Sequence, residues 1–439
     1  MSSETSSDVI VVGGGIAGLA AAAYAARGGR SVTLFERSEF LGGRAETSER
    51  NGFLFNRGPH ALYKGGAAEA VLADLGVHHT GNQAPTGGAA IYAGELFRLP
   101  GTAGSLLTTH LFGPREKLEA GAVLAGLSHA DPAPLDGVTL EDWLAVSIKH
   151  RKVREMVASY FRVSSYSNAP GIASAGALIR QFQFARNGVT YLDGGWATLV
   201  SGLRDAALAS GVRIGNCEPV AAIEREGGVR GVRLFSGRTH EARTVIVAAS
   251  PTAARDLLYR GEETALQAWA EDAVPVRAAC LDVGLSRLPN PEPQFALGID
   301  APLYFSVHSR SARLAPEGAA LISAAKYLPV GESLDAAATE RELEALLDLA
   351  QPGWRKLLVE RQYLPNMTVT NGVVLAARGG LTGRPGPEVP GVPGLFVAGD
   401  WVGQEGMLAD AALASARAAG KLAASFVQAG LVASATVEA

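Results

Sequence analysis

Residues 9–37 read VIVVGGGIAGLAAAAYAARGGRSVTLFER. The order is an apolar run, three adjacent glycines, an alanine-rich stretch, a second apolar run and a carboxylate, Glu36. Residues 9–12 are β-branched, as in a strand buried on both faces, and the alanines favour a helix that begins near Ile16 and ends at Gly28. The stretch therefore predicts a strand, a phosphate-binding loop, a helix and a second strand.

Three glycines of the loop have separate roles in such a unit. Gly13 permits a tight turn, Gly15 lets the backbone approach a pyrophosphate, and Gly18 lets the helix pack closely on the sheet. Ile16 and Ala17 lie where the helix begins, so their N–H groups are unpaired and the helix dipole favours a negative charge there. We therefore expect a dinucleotide diphosphate at this helix N-terminus.

Glu36 ends the predicted second strand, with Arg37 beside it. Its carboxylate can accept hydrogen bonds from both hydroxyls of an adenosine ribose. A carboxylate also repels a 2′-phosphate, so this position disfavours NADP. Glu36 and Arg37 are therefore candidate cofactor contacts.

Length and composition limit the class of protein. A chain of 439 residues is long enough for about two to three domains, and 47% hydrophobic with 19% charged residues excludes global disorder. The net charge of −4 gives no electrostatic basis for nucleic-acid binding. Cys217 and Cys280 are isolated from each other and from any histidine cluster. Neither a disulfide framework nor a metal site is therefore predicted, and a reducing cytoplasm is the expected compartment.

Membrane-spanning segments are not predicted, because no apolar run reaches the roughly 18 residues that such a helix needs. A signal peptide is disfavoured, since residues 1–8 carry no lysine or arginine and glycines interrupt the apolar run. Residues 96–127 mix apolar side chains with Arg98, His110, Arg115 and Lys117. This segment is either a helical cap over a substrate pocket, which we favour, or a surface for peripheral membrane contact.

The rest of the chain alternates helix and strand signals. The predicted helices are 106–127, 140–161, 171–184, 196–210, 335–349 and 409–427, and the predicted strands are 52–55, 212–214, 220–223, 229–235, 244–248, 278–283, 304–308, 320–327 and 394–398. We expect one discontinuous domain from residues 1–84, 190–270 and 388–430. The second domain, with a helical cap, is expected from residues 85–189 and 271–387.

Three motifs stand out in this order: residues 9–37, the segment Leu41-Gly42-Gly43-Arg44, and residues 394–420, which read GLFVAGDWVGQEGMLADAALASARAAG. Together they resemble the superfamily of FAD-dependent oxidoreductases that includes flavin amine oxidases, protoporphyrinogen oxidases and phytoene desaturases. The resemblance implies an α/β fold, α+β overall. It combines a Rossmann-like FAD-binding domain, built on a parallel sheet, with a substrate domain that has a mixed sheet and a helical insertion.

The resemblance also assigns FAD-binding residues outside the first loop. Gly42 and Gly43 let the chain pass close to the flavin and the diphosphate, and Arg44 pairs with phosphate oxygens. Asp400 binds the ribityl chain, and the helix N-terminus near Met407 points its dipole at the flavin pyrimidine edge. The implied contacts are Gly42, Gly43, Arg44, Gly58, Pro59, Gly399, Asp400, Met407 and Leu408.

The chain departs from the family pattern at several positions. Ala411 and Ala416 stand where glycines are usual, and Asn56 stands where an aspartate is often found. Amine oxidases of the superfamily flank the flavin with two aromatic rings, and one of these positions is Leu408 here. Trp401 either lies near the flavin or only packs on the helix. The missing ring favours a lipophilic pocket and the phytoene-desaturase-like branch.

Three residues are candidates for the chemistry: Lys326, His60 and Glu405. Lys326 resembles the lysine that holds a water near flavin N5 in amine oxidases, or it is a solvated lysine at a strand end. His60 follows Gly58-Pro59 in a region that approaches the flavin in relatives. Glu405, like Asp410, is close to the flavin edge in sequence, or is an ordinary carboxylate at a helix N-terminus.

The expected activity is dehydrogenation of a small apolar substrate, such as an isoprenoid or polyene, with hydride transfer to flavin N5. The alternatives are an amine oxidase or protoporphyrinogen oxidase, and a non-enzymatic lipid-binding protein of this fold, as the Rab GDP-dissociation inhibitors are. No cysteine follows Cys280, which excludes a covalent thioether to the flavin from the C-terminal region. The sequence leaves open the electron acceptor, oxygen or a quinone, and the oligomeric state.

Overall fold

Two seven-stranded sheets contain most of the strands. The computed structural model describes residues 6–85, 87–258, 264–331 and 334–437. Within these ranges the α-helices are α1 (Ile16–Arg27), α2 (Ala67–Asp74), α3 (Ala103–Thr108), α4 (Pro114–Leu127), α5 (Leu140–Ser147), α6 (Arg151–Ser165), α7 (Ala175–Ala185), α8 (Ala197–Ala209), α9 (Pro251–Leu258), α10 (Ala265–Asp272), α11 (Ala336–Ala350) and α12 (Leu408–Val437). The strands are β1 (Ser6–Val12), β2 (Val32–Phe35), β3 (Thr47–Arg50), β4 (Phe53–Asn56), β5 (Leu62–Tyr63), β6 (Gly81–Gln83), β7 (Ala89–Tyr92), β8 (Glu95–Arg98), β9 (Val189–Leu192), β10 (Arg213–Gly215), β11 (Val220–Glu226), β12 (Gly228–Leu234), β13 (Thr239–Val247), β14 (Val276–Leu285), β15 (Phe295–Gly298), β16 (Leu303–Val307), β17 (Ala320–Tyr327), β18 (Leu358–Thr370) and β19 (Leu395–Val397).

The first sheet carries the dinucleotide unit predicted from the sequence. Its order is β10-β2-β1-β13-β12-β11, with β19 beside β13, and β1, β2, β10, β13 and β19 run parallel. Residues 9–12 of β1 are buried, which is the environment that a β-branched run favours. The parallel sheet of the expected α/β fold is therefore confirmed.

The helices α1 and α12 pack side by side on this sheet. Gly420 of α12 lets the two backbones approach closely, because an added Cβ there would lie 2.5 Å from the Ala21 carbonyl oxygen and 2.7 Å from Tyr24 Cβ of α1. α1 follows β1, and α12 follows β19 after a loop. Both helix N-termini therefore lie beyond the carboxyl ends of parallel strands, where ligands bind in such sheets.

The second sheet separates two hydrophobic layers. Its order is β18-β14-β17-β16-β15-β7-β8, antiparallel except for the β15–β7 pair. One face packs against α11 through Leu343, Leu346 and Leu347, and the other packs against helices of the 103–185 region. Since side chains alternate along a strand, adjacent residues of β14 or β17 belong to opposite layers.

The cap region differs from its prediction. Residues 85–189 are not simply a helical insertion, because they begin with the hairpin β7–β8, which joins the second sheet through β15. The helix predicted at 106–127 is two helices, since Pro114 starts a new one, and the helix predicted at 140–161 is likewise divided into α5 and α6. The helix predicted from residue 171 begins at Ala175, where the Ser174 side chain caps it.

The 13-residue strand β18 was absent from the prediction. Its sequence, LVERQYLPNMTVT, contains charged residues and Pro365, which interrupt an alternating pattern. The strand lies at the sheet edge, and its register with β14 shifts around Pro365. Both features are tolerated at an edge.

Membrane-spanning helices are absent from the described residues, where no helix combines the required length and apolar character.

Candidate functional site

The phosphate loop contains two kinds of glycine. An added Cβ on Gly13 would lie 2.7 Å from the Ala248 carbonyl oxygen, and one on Gly18 would collide with the Gly13 carbonyl. By contrast, a Cβ on Gly15 would meet nothing nearer than the Gly42 oxygen at 3.8 Å, and one on Gly43 only Gly15 Cα at 4.0 Å. Gly13 and Gly18 are therefore needed by the fold, whereas Gly15 and Gly43 border open space.

The start of α1 provides donors for that space. α1 begins at Ile16, with Gly15 as its N-cap and no capping side chain. The N–H groups of the first turn, which includes Ile16 and Ala17, therefore have no acceptor within the helix. Free donors beside a cradle that any side chain at Gly15 would fill suit a diphosphate.

Glu36 lies at the edge of the loop, directly after β2. Its Oε2 accepts a hydrogen bond from the Gly14 N–H (2.6 Å), and its Oε1 accepts one from the Ser38 N–H (2.8 Å). Arg37 is exposed beside it. These bonds hold the carboxylate next to the phosphate loop, the position that the ribose role requires.

Arg44 and Asp400 join the first and third regions of the site. Arg44 Nη1 donates to Asp400 Oδ2 (2.5 Å) and to the Val369 carbonyl at the end of β18 (2.7 Å). The Asp400 side chain is 4% exposed and also accepts from Asn371, whereas the Arg44 side chain is 40% exposed. The guanidinium therefore has one buried partner and an open side that can meet phosphate oxygens.

The loop from Gly399 to residue 407 is braced from both ends. Gly399 has a φ of +155° and is held by the Ser415 hydroxyl, which accepts from the Gly399 N–H (3.0 Å) and donates to the Gly399 carbonyl (2.9 Å). Arg384 Nη1 donates to the Asp400 carbonyl (3.0 Å) and Nη2 to the Gly406 carbonyl (2.6 Å). Burial lowers the pKa of Arg384 to about 10, against the opposing charge of Asp400. The sequence analysis missed Arg384, because no motif marks an arginine that contacts only backbone.

The N-terminus of α12 adjoins the hydrophobic layer of the second sheet. Met407 and Leu408 both pack in that layer, and Leu408 has a φ of +55°, the left-handed region that a leucine rarely adopts. Ala411 and Ala416, which replace family glycines, are fully buried without disturbing α12. Met407 and Leu408 thus lie between the first sheet and the candidate pocket.

The two acidic residues near α12 have structural partners. Glu405 is exposed and forms an ion pair with Arg417 (2.9 Å). Asp410 is buried, and its Oδ1 accepts from the Ala68 N–H at the start of α2 (2.8 Å). Burial raises the pKa of Asp410 to about 6. The structure therefore places Glu405 outside the buried site, and Asp410 acts as a cap for α2.

Lys326 is not brought to the site. Its register partners Ala279 and Leu303 belong to the layer under α11, and Lys326 Nζ pairs with Glu342 of that helix. The next residue, Tyr327, faces the opposite layer with Met407. The strand phase therefore turns the Lys326 side chain towards α11, which favours the alternative of a lysine at a strand end.

His60 lies in a loop that sits on the second sheet. An added Cβ on Gly58 would lie 2.8 Å from Cys280 Sγ and 2.9 Å from Met367 Cε, Pro59 is buried, and His60 Nδ1 donates to the Gly58 carbonyl (2.9 Å). Burial lowers the pKa of His60, and the charges of Arg44 and Arg57 lower it further. The imidazole is therefore neutral near pH 7.

Trp196 is a site residue that the sequence analysis did not single out. Its ring lies 4.8 Å from the His60 ring, and its Nε1 is buried without a hydrogen-bond partner. Asn56 Oδ1 accepts from the Trp196 N–H (3.0 Å) and from the Thr47 hydroxyl (2.7 Å). Asn56 therefore fixes the start of α8 and the indole beside His60.

Trp401 lies on the other side of the first sheet. Its ring packs against Trp269 at 6.0 Å, and its Nε1 donates to the Ala249 carbonyl (2.9 Å). Trp401 thus has a packing role in this structure, against Trp269 of α10.

A cluster of buried tyrosines faces the helix-covered layer of the second sheet. Its members are Tyr63, Tyr166, Tyr191, Tyr304 and Tyr327. Tyr166 and Tyr327 meet edge to face at 6.1 Å, and burial together with neighbouring phenols raises the pKa of Tyr166. The small residues Cys280 and Ala325, paired on adjacent strands, lie on the same face. We call these five rings and two small residues the tyrosine cluster.

Asp282 is a buried carboxyl two residues from Cys280 on the same face of β14. It is 2% exposed, its Oδ1 has no partner, and Gln362 Nε2 donates to its Oδ2 (3.3 Å). Burial raises the pKa of Asp282 to about 7, although hydrogen bonds from Ser323 and Gln362 act in the opposite direction. The sequence analysis did not single out this residue.

Asp282→Asn should change how stability depends on pH. The unfolded carboxyl ionises near its ordinary pKa, whereas the folded one holds its proton to about pH 7. The free energy of unfolding of the wild type should therefore fall relative to that of the variant by at most about 1.4 kcal/mol per pH unit between about pH 4 and pH 7. Denaturant titrations across this range test the effect, and a constant difference would contradict a carboxyl that stays protonated in the folded state.

The fold and site define a dinucleotide-binding flavoprotein, with a phosphate loop, a ribose carboxylate and a second motif that meet at the carboxyl edge of one parallel sheet. Residues 16–423 match the family described as flavin containing amine oxidoreductase, and the chain belongs to that family. FAD is therefore its cofactor.

Curated relatives are carotenoid enzymes. The chain is 54% identical over 59 residues to carotenoid 3,4-desaturase of Haloarcula japonica, covering 13% of this chain and 12% of the relative. It is 28% identical over 282 residues to hydroxyneurosporene desaturase of Cereibacter sphaeroides, covering 56% of each. The matches thus span about an eighth and about half of these relatives.

Solved structures resemble the whole chain. An oxidoreductase from Methanosarcina mazei has a TM-score of 0.76 at 18% identity, with 93% of this chain and 99% of that one covered. Cyclohexylamine oxidase from Brevibacterium oxydans has a TM-score of 0.70 at 21% identity, with 97% and 99% covered. At these identities the likeness establishes the fold.

Proposed function

We propose that the protein dehydrogenates an apolar polyene with FAD as the electron acceptor in the first half of the reaction. The observation that carries the proposal is the apolar, aromatic character of the tyrosine cluster, which is continuous with Met407 and Leu408 and contains the small residues Cys280 and Ala325. Lys326, the candidate for the lysine of amine oxidases, lies on the opposite face of the sheet, where it pairs with Glu342 of α11. The desaturase names of the curated relatives support the same substrate class.

The residues around the pocket have distinct tasks in this reaction. When bound, the flavin accepts from the substrate a hydrogen together with its electron pair. The first turn of α1 and Arg44 would hold the phosphates, and the positive end of the α12 dipole would favour the negative charge that the reduced flavin gains. The buried rings exclude water, and Gly58 fixes the neutral imidazole of His60 beside Trp196.

Anaerobic mixing with a panel of polyenes and a panel of amines tests the substrate class. We expect phytoene or neurosporene in detergent micelles to bleach the flavin absorbance, and putrescine or cyclohexylamine to leave it unchanged. Bleaching by amines alone would replace the desaturase proposal with an amine oxidase. A protein that purifies without flavin and takes up no FAD would favour a lipid-binding protein. Reoxidation by oxygen or by a short-chain quinone then distinguishes the two candidate acceptors.

The cap also offers a surface for delivery of an apolar substrate from a membrane. Leu107 on α3 and Leu118 on α4 are 73% and 77% exposed, and Lys117 Nζ donates to the Leu107 carbonyl (2.7 Å). Arg98 donates to Thr108 in the same region. We propose that these exposed leucines enter an anionic lipid surface while the neighbouring cations contact its headgroups.

Leu107→Glu together with Leu118→Glu should weaken lipid binding. We expect the double variant to partition onto vesicles of phosphatidylglycerol and phosphatidylcholine at least about tenfold more weakly, because two leucines proposed to enter the lipid are replaced by charges. Co-sedimentation measures the loss. Phe235→Glu, at a 74% exposed position on the other domain, is the matched control. If the double variant and Phe235→Glu bound vesicles equally well, Leu107 and Leu118 would not be the lipid contact.

A further inference from the structure

A row of polar side chains crosses four strands of the second sheet. Gln362 on β18 pairs in register with Asp282 on β14, Asp282 with Ser323 on β17, and Ser323 with Ser306 on β16. All four residues are at most 9% exposed. Polar groups across the centre of a buried sheet face are unusual, because such groups need mutual hydrogen bonds to be tolerated there.

The row continues into the tyrosine cluster. Tyr191 Oη lies 3.1 Å from Ser306 Oγ and 3.0 Å from Tyr304 Oη, and Tyr304 Oη lies 3.0 Å from His308 Nε2. Burial lowers the pKa of His308 to about 3, so this imidazole is neutral near pH 7. Tyr191 is thus within hydrogen-bond distance of both Ser306 and Tyr304, and Ser323 lies beside Ser306 in register on the next strand. Hydroxyl groups can both donate and accept, which is the requirement for passing a proton along hydrogen bonds.

The other end of the row meets the candidate flavin site. Gln362 Nε2 donates to the Asn56 carbonyl (2.8 Å) just before the Gly58–His60 loop. Cys280, two residues from Asp282 on the same strand face, contacts that loop at Gly58. The charged neighbour on this side is Arg50, which donates to Gln362 Oε1 (3.4 Å), and burial raises the pKa of Cys280 well above its usual range.

We propose that Asp282 takes up the proton that leaves the substrate during dehydrogenation, and that Tyr191, Tyr304, Ser306 and Ser323 carry that proton from the pocket. This inference rests on the proposed dehydrogenation. The Ser323 side chain hydrogen-bonds to the Asp282 carboxyl and so connects the row to the group that would hold the proton. Because Asp282 acts through Tyr191, it is a positioning residue for the proton rather than a contact of the substrate.

The proposed dehydrogenation is balanced in atoms and electrons. Two C–H bonds of the substrate break and one C=C π bond forms; one hydrogen leaves with its electron pair to the flavin, and the other leaves as a proton to the Asp282 carboxylate. Oxygen or a quinone then takes two electrons and two hydrogens, one of them the proton from Asp282. A pKa near 7 makes both forms of this carboxyl accessible at neutral pH.

The pH dependence of the flavin midpoint potential tests the proposal without any substrate. If Asp282 gains a proton when the flavin is reduced, two protons accompany two electrons in the wild type above about pH 7, and one does so in Asp282→Asn. The potential of the wild type should therefore fall about twice as steeply with pH as that of the variant. Tyr160→Phe, which removes a buried phenol hydroxyl without a partner, is the matched control and should keep the wild-type slope.

If Asp282→Asn does not fold, the number of protons that the wild-type protein takes up on reduction tests the proposal instead. Reduction with two electrons in a weakly buffered dye solution should take up two protons. Equal slopes for wild type and Asp282→Asn, or uptake of one proton, would overturn the proposal while leaving the flavoprotein function intact. A wild-type chain that binds no FAD would instead overturn the proposed function, and this inference with it. With phytoene, Tyr191→Phe should slow flavin reduction about tenfold relative to Tyr160→Phe.

Discussion

Replacing Gly15 with valine is expected to abolish FAD binding while leaving the fold intact. Gly15 has an ordinary φ of −74° at the N-cap of α1, and an added Cβ meets no protein atom closer than 3.8 Å. The space that the side chain would enter is the cradle in front of the unpaired N–H groups of α1. We therefore expect the FAD dissociation constant to rise about 100-fold or more, equivalent to about 3 kcal/mol, with little change in the melting temperature of the apoprotein.

Gly18→Ala provides the contrast. Its Cβ would collide with the Gly13 carbonyl, so the backbone of the loop must shift and the apoprotein itself should lose stability. Calorimetry of both apoproteins and flavin titration of Gly15→Val separate the two effects. Retention of tight FAD binding by Gly15→Val would mean that the diphosphate lies elsewhere than at the start of α1.

The site residues that could be predicted from the sequence are those that lie within one continuous motif. The order of strand, glycine loop, alanine-rich helix and Glu36 occupies one continuous stretch, and each residue there acts within its own segment. The Arg44–Asp400 ion pair joins residues 356 positions apart. Both residues were identified because each lies in a motif, but no spacing rule predicts that they contact each other.

Lys326 shows why the remaining site was not predictable. The alternation of residues along a strand does not tell which of the two sheet faces is covered by the substrate-side helices. On β17, Lys326 lies on the face covered by α11, and the next residue, Tyr327, lies on the opposite face. Asp282 could not be identified from the sequence for a related reason, because it has an apolar neighbour on each side in a strand whose sequence is typical of a buried run. Its significance depends on Ser323 and Gln362, which only strand pairing brings beside it.

Arg384→Met should release the loop that carries Asp400. Arg384 donates to carbonyls at both ends of this loop, at Asp400 and Gly406, so one side chain fixes the loop between β19 and α12. Hydrogen bonds from a charged donor contribute about 1.5–3 kcal/mol each, so we expect the loss of two such bonds to lower the free energy of unfolding by about 3–6 kcal/mol. FAD affinity should also fall, by about tenfold or more, because Asp400 and the start of α12 would lose their fixed positions.

Arg378→Met is the matched control for this prediction. Arg378 lies in the same segment, but its side chain is 56% exposed and its partner is the exposed Asp272 (2.5 Å). An exposed ion pair of this kind contributes about 0–1 kcal/mol, so the control should change neither stability nor FAD affinity by much. If Arg384→Met behaved like Arg378→Met in denaturant and flavin titrations, the loop would be held by Ser415 and its own backbone. The two buried hydrogen bonds of Arg384 would then serve only to satisfy a guanidinium that the fold happens to enclose. A larger loss of FAD affinity than of stability would instead indicate that Arg384 acts chiefly by placing Asp400 and α12 against the cofactor.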